Sequence, residues 1–196
     1  MVNMSKIAFL EPENQHLVRV SNANNWEDMR VGASSLKVPT TNPAEYGQVG
    51  TTGLYLPEFE DAKDDQLYFE TQMSHGYNLG GELLMHIHCL EPIADAGRVN
   101  WKVYYQIRNN DAAFVMNAAD NSGTDLYMNG ANVAGNHHIT PTHIVPSAGL
   151  KESCCMFGRI VREHSAGGDT FTGSIFLLSL DIHYKNAKLG SIVEFP

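Results

Sequence analysis

From residue 66 onward the chain alternates apolar and polar positions with a period of two, the mark of half-buried β-strands. Five segments carry it most clearly: QLYFETQ (66–72), ELLMHIHCLE (82–91), RVNWKVYYQIR (98–108), ESCCMFGRIVRE (152–163) and DTFTGSIFLLSLDIHYK (169–185). Shorter candidates lie in AAFVMN (112–117) and HHITPTHIV (137–145). Turn-forming clusters separate them, among them SHGYNLGG, PIADAG, DNSG, NGANVAGN and SAGGD. Glycine or β-branched residues interrupt every candidate amphipathic helix. The pattern predicts an all-β protein, an antiparallel β-sandwich or jelly roll of seven or eight strands. The chain has no internal repeat.

Residues 1–62 differ. They are rich in Asn, Gly, Pro and Thr, with short apolar islands (IAFL, LVRV, GLYL) and no sustained period. So long an irregular stretch is unusual inside a compact domain. It suits an extended N-terminal arm, followed by a sandwich domain over residues 63–196. Trp26, Tyr55 and Phe59 are large side chains of this arm without an obvious local core. Two readings stay open for them: anchoring in a partner, or packing beneath the domain's own sheet.

Side-chain alternation assigns faces. In 82–91, Leu83, Met85, Ile87 and Cys89 point one way, into a core, and Glu82, Leu84, His86, His88 and Leu90 point the other. In 98–108, Val99, Trp101, Val103, Tyr105 and Ile107 face inward and the other side is ordinary polar surface. For 169–185, regular alternation places Phe176, Leu178, Leu180, Ile182 and Tyr184 inward, and Ile175, Leu177, Asp181 and His183 outward. Two strands thus present an outer face that mixes Leu, Ile and His. Leu84, His86, His88, Leu90, Ile175, Leu177, Asp181 and His183 become candidates for a subunit interface in a homo-oligomer.

Composition narrows the partners. The 196 residues are 43% hydrophobic, enough for one domain with a core. With 22 acidic against 13 basic residues the net charge is -9, which disfavours a phosphate backbone as ligand, so no nucleic acid is expected. No segment approaches the roughly 18 apolar residues of a membrane span, and MVNMSKIAFLEPENQ lacks the pattern of an export signal. Three cysteines, two of them adjacent at 154 and 155, fit reduced thiols.

Nine histidines raise the question of metal chemistry. His86 and His88, two apart on a strand, point the same way and could reach one metal. The stretch GGELLMHIHCLE invites comparison with the cupins, metal enzymes whose first motif sets Gly, five residues, His-x-His, three or four residues, then Glu. Gly80 is in place, but Glu91 follows His88 after two residues, which turns it to the opposite face. His183, with Asp181 beside it, could supply a third nitrogen if its strand neighbours 82–91. His137, His138 and His143 lie in a Gly, Asn and Pro-rich region expected to be a solvated loop. No GxSxG elbow or phosphate-binding glycine loop is present. The expectation is no catalytic residue, metal or cofactor, with a cupin-like metal enzyme as an alternative.

GLKESCCMFGRIVREHSAGGDTFTGSIFLLSLDIHYKNAKLGS, residues 149–191, resembles a family of uncharacterised tailed-bacteriophage virion proteins. Those sequences run from a strand ending in Arg through Asp-Thr-Tyr-Thr-Gly to a long apolar strand ending Asp-x-His-Tyr, then Leu-Gly-Ser. WEDMRV, DDQLYFETQMSHGYNLGGELLMHIHCLEP and VNWKVYYQI are similar to earlier parts of the same family. Here Ser74 stands where relatives tend to have Pro, Cys89 where they often have Trp, and Phe171 where they have Tyr. The resemblance implies a non-enzymatic, jelly-roll-like structural protein of the virion. Its implied role is a trimeric capsid decoration or cement protein that contacts the major capsid protein, assembled in the host cytoplasm. A tail or head-fibre adhesion component is the alternative within the same reading; apart from the resemblance, a carbohydrate-binding module on a tail structure, using exposed Tyr and Trp, is a third.

Overall fold

Alternation along the chain becomes two facing sheets in the computed structural model, which describes residues 25–114, 122–165 and 167–187. Eleven strands are present among the described residues: β1 (Asn25–Gly32), β2 (Glu45–Gln48), β3 (Tyr55–Phe59), β4 (Gln66–Gln72), β5 (Leu83–Glu91), β6 (Arg98–Arg108), β7 (Ser122–Asn129), β8 (Asn136–Ile139), β9 (His143–Val145), β10 (Cys155–Arg162) and β11 (Ile175–Asn186). A single 3-10 turn, Ala33–Ser35, follows β1. Among the described residues no helix is long and apolar enough to cross a membrane.

All strand pairs are antiparallel. The first sheet runs β2-β3-β11-β5-β8, with β1 also lying along β11 and β9 along β5; the second runs β4-β10-β6-β7. Setting aside β1, β2 and the short β9, the order β3-β11-β5-β8 faces β4-β10-β6-β7, and every step of the chain crosses between sheets except β6 to β7. That is the jelly-roll wiring of two Greek keys. The expected all-β antiparallel sandwich is the observed one.

The core forms where the two inner faces meet. Leu83, Met85, Ile87 and Cys89 of β5 and Val99, Trp101, Val103 and Tyr105 of β6 are buried as their alternation predicts. Phe59 sets its ring edge against Trp101 at 4.8 Å between centroids. Cys89 places its sulfur 3.1 Å from that of Met128, and burial pushes its thiol up to about 12. All three cysteines are free thiols.

Two expectations change. First, the residues from 25 to 59 of the expected arm supply β1, β2 and β3 to the larger sheet, while residues 1–24 lie outside the described residues. Phe59 is fully buried, so it is a core residue in place of a partner anchor. The sequence pattern is weak here because β1 and β2 pair on one side only and leave most side chains exposed. Second, β11 carries a bulge between Leu177 and Ser179, where its register against β5 slips by one residue. An inserted residue reverses which side chains face inward. Ile175 and Leu177, expected on the outer face, are therefore fully buried core residues along with Leu180 and Ile182. Phe176 pairs with Leu90 instead, on the outer side. Of the candidate AAFVMN, residues 112–114 form no strand and 115–117 lie outside the described residues.

Candidate functional site

The outer face of the larger sheet gathers a cluster of ionisable side chains from four adjacent strands. Register brings them together: on the β1-β11-β5 rows, Arg30 pairs with Asp181 and Asp181 with His86, while Asp28 pairs with His183 and His183 with Leu84. His88 pairs with Ser179 on one side and Ile139 of β8 on the other, and His137 pairs with Leu90.

Ring contacts run through the cluster as a chain. His183 donates to the Asp28 carboxylate through Nδ1, and its Nε2 lies 3.2 Å from Nδ1 of His86. Nε2 of His86 is 2.8 Å from Nε2 of His88, and Nδ1 of His88 is 2.8 Å from Nε2 of His137. Asp181 sits beneath this chain, almost fully buried. It accepts two hydrogen bonds from Arg30, with Nε and Nη2 at 3.0 and 2.8 Å from Oδ2, and one from Ser179 Oγ at 2.7 Å. His88 Nε2 lies 3.4 Å from Oδ2 of Asp181.

Electrostatics follow from this packing. Burial pushes His86 below its ordinary value, and the neighbouring His183 and His88 push the same way. Burial also lowers His88, against the pull of Asp181. Burial alone would raise Asp181, but the hydrogen bonds from Arg30 and Ser179 and the nearby His88 hold it below the usual carboxylate range. At neutral pH His86 and His88 are thus neutral imidazoles beside the Asp181 carboxylate, whose charge Arg30 counters. Among the described residues, His86, His88 and Asp181 form a group whose ligand atoms all lie within 4.8 Å of one another, close enough to share a metal ion.

Six of the eight outer-face candidates hold their place. His86, His88, Asp181 and His183 meet as one cluster, flanked by half-buried Leu84 and Leu90. Ile175 and Leu177 do not join them, for the reason given by the bulge. Glu91 lies on the inner side, fully buried and bonded to His138 at 2.5 Å, so it takes no part in the cluster. Trp26 stands on β1 with the Lys185 ammonium 4.9 Å from its ring centre, and Tyr55 is exposed on β3 opposite Gln48. Asp28 and Arg30 escaped the sequence reading, and His137, expected in a solvated loop, stands on β8. The alternation of Trp26, Asp28 and Arg30 against Met29 and Val31 was the available signal for β1; His137 carried none until β8 paired with β5.

A second concavity lies on the outer face of the smaller sheet. It encloses about 530 Å³ and is lined by Tyr68, Tyr104, Phe157 and Arg159 among others. The Arg159 guanidinium stacks 4.3 Å from the Tyr104 ring centre. Lys37 and Glu70 pair at its rim at 2.7 Å.

No protein-family model matches the chain, and no curated protein matches it. Solved structures with some likeness include the CBM36-1 domain of a multidomain xylanase from the hindgut metagenome of Trinervitermes trinervoides, with 8% identity and a TM-score of 0.42 over 80% of this chain and 96% of that one. The xylan-binding module CBM15 gives 10% identity and 0.42 over 82% and 97%. A structure of the infectious bursal disease virus Gx strain gives 10% and 0.39 over 93% of this chain and 38% of that one. At TM-scores below 0.5 these likenesses assign neither family nor function, and the jelly-roll wiring rests on this chain's own strand registers.

Proposed function

We propose that this protein is a non-enzymatic structural component of a tailed-bacteriophage virion, an oligomeric decoration protein that attaches to the outer surface of the capsid shell. Support comes from the sequence resemblance of residues 149–191 and from the jelly-roll wiring, a fold that by itself is compatible with many functions. The observation that carries the reading is the outer face of β5, β8 and β9. There Ile139 and Ile144, 54% and 64% exposed, pair with His88 and Leu84 and extend an apolar margin beside half-buried Leu84 and Leu90. A second copy of the chain is the occupant we assign to this margin, in a trimer whose repeated weak contacts with the major capsid protein add up by multivalency. Light scattering on the purified protein should report a trimer, and the trimer should co-sediment with expanded capsids. A monomer that leaves capsids bare would overturn the proposal.

A second reading, a saccharide-binding component of a tail or head fibre, draws on the concavity lined by Tyr68, Tyr104 and Phe157. Flat aromatic rings beside a few polar groups suit the apolar faces and hydroxyls of sugar rings. Titration with host-surface polysaccharide, watched through the tyrosine fluorescence, separates the two: saturable binding that Tyr104→Ala abolishes favours the fibre.

A further inference from the structure

We propose that His86, His88 and Asp181 form a binding site for a single zinc ion, with Arg30 occupying the carboxylate when the metal is absent. The inference does not depend on the virion role.

Three features point to it. The first is ligand spacing. In a tetrahedral site with bonds of about 2.0–2.1 Å, neighbouring ligand atoms stand roughly 3.4 Å apart. His88 Nε2 already lies 3.4 Å from Asp181 Oδ2, and the two Nε2 atoms, 2.8 Å apart, need open by only a fraction of an ångström. Two imidazoles and a carboxylate leave a fourth position for water, the donor set of an open zinc site.

The second is the outer ring of partners. Histidines that bind a metal through one ring nitrogen nearly always engage the other in a hydrogen bond that fixes the ring and its tautomer. Both do so here. With the two Nε2 atoms turned to the metal, Nδ1 of His88 meets Nε2 of His137 at 2.8 Å, and Nδ1 of His86 meets Nε2 of His183 at 3.2 Å. His183 is held in turn by the Asp28 carboxylate through its own Nδ1. Ser179 Oγ orients Asp181 at 2.7 Å. These contacts also explain why three strands besides β5 contribute to the cluster.

The third is Arg30. Asp181 is 1% exposed, and a buried carboxylate needs a counter-charge. Arg30 supplies it from a side chain that is 61% exposed, so the guanidinium can withdraw to water when a divalent ion takes its place. The arginine and the metal compete for one pair of oxygens.

The test uses the full chain purified without an affinity tag. Isothermal titration with zinc chloride should show one ion per chain. His88→Gln and Asp181→Asn should weaken binding at least about 100-fold, and His137→Ala and Asp28→Asn, which remove outer partners, about 10–100-fold. Arg30→Gln should tighten it, since the competitor is gone. Circular dichroism checks that each variant is folded, and cobalt(II) added to the unmodified protein gives a readout independent of any variant: strong visible absorption from a four-coordinate ion. Absence of zinc binding by the folded protein, a six-coordinate cobalt spectrum, or an Arg30→Gln variant that binds no tighter would each overturn the proposal.

Discussion

Arg162 and Asp169 form a doubly hydrogen-bonded ion pair that is wholly closed to solvent, with Nε to Oδ2 at 2.8 Å and Nη2 to Oδ1 at 2.9 Å. The remaining guanidinium protons reach the carbonyls of Phe59, Gly173 and Phe171 at 3.0, 2.7 and 2.7 Å. All five donors are used, and the pair ties the ends of β3 and β10 to the segment leading into β11.

Removing one partner strands the other. Arg162→Met leaves a buried carboxylate and three unpaired carbonyls, and should destabilise the fold by about 3–5 kcal/mol. Urea denaturation of the two proteins measures it; a loss below about 1 kcal/mol would mean that water enters the site.

The bulge in β11 makes a prediction that regular alternation reverses. Leu177→Ala should cost about 2–5 kcal/mol, as for a core leucine, whereas Ile144→Ser on the outer face should change stability by less than about 0.5 kcal/mol. Under the proposed assembly, Ile144→Ser should instead weaken the trimer, read by light scattering across a dilution series.

Gly158 lies on β10, at the centre of the smaller sheet between β4 and β6. A Cβ there would stand 2.2 Å from the Tyr104 carbonyl oxygen and 2.7 Å from the Phe69 ring. Backbone cannot yield as a flexible side chain does, so Gly158→Ala should destabilise by about 1–3 kcal/mol or more. A lowered thermal midpoint relative to Gly135→Ala, a turn position whose penalty is conformational and not steric, checks the cause.

Glu91 gives the fold an acid sensitivity. Burial works to raise this carboxyl, but the N–H groups of Ala131 and Asp95 and the ring of His138 bond to it and hold it below its ordinary value. A lowered folded value means that the stabilisation is full above the unfolded pKa, near 4.3, and is lost as the pH falls through the folded one. Stability measured by urea should therefore drop as pH falls below about 4.3, and Glu91→Gln should flatten that drop while costing about 1–3 kcal/mol at neutral pH. An unchanged acid limb in the variant would assign the sensitivity to other carboxylates.

Much of this was legible from alternation alone. β4 and β6 fall where the period-two pattern put them, and the inner faces of β5 and β6 were read correctly because each strand is regular and has neighbours on both sides. The pairing of β5 with β11, and with it the meeting of His86, His88, Asp181 and His183, followed from faces and a guess at adjacency. What failed has physical causes. A bulge leaves no mark in the sequence LLSL, yet it moved Ile175 and Leu177 into the core. β1 to β3 bury too few residues to impose a period, so Asp28 and Arg30 stayed hidden. β7, in SGTDLYMN, was masked by the turn-forming residues that flank it.

Asn25 faces Asn186 in the first rung between β1 and β11, with the following pairs running down to Gly32 opposite Ser179. A pull applied to the chain beyond these two residues therefore loads the rungs one after another, as in opening a zipper, and never shears them together. Each rung yields at low force, and β1 peels from its edge before any core strand is stretched. The Arg30 and Asp181 rung is the sixth in that sequence, so tension would release the guanidinium from the carboxylate while the sandwich stays closed.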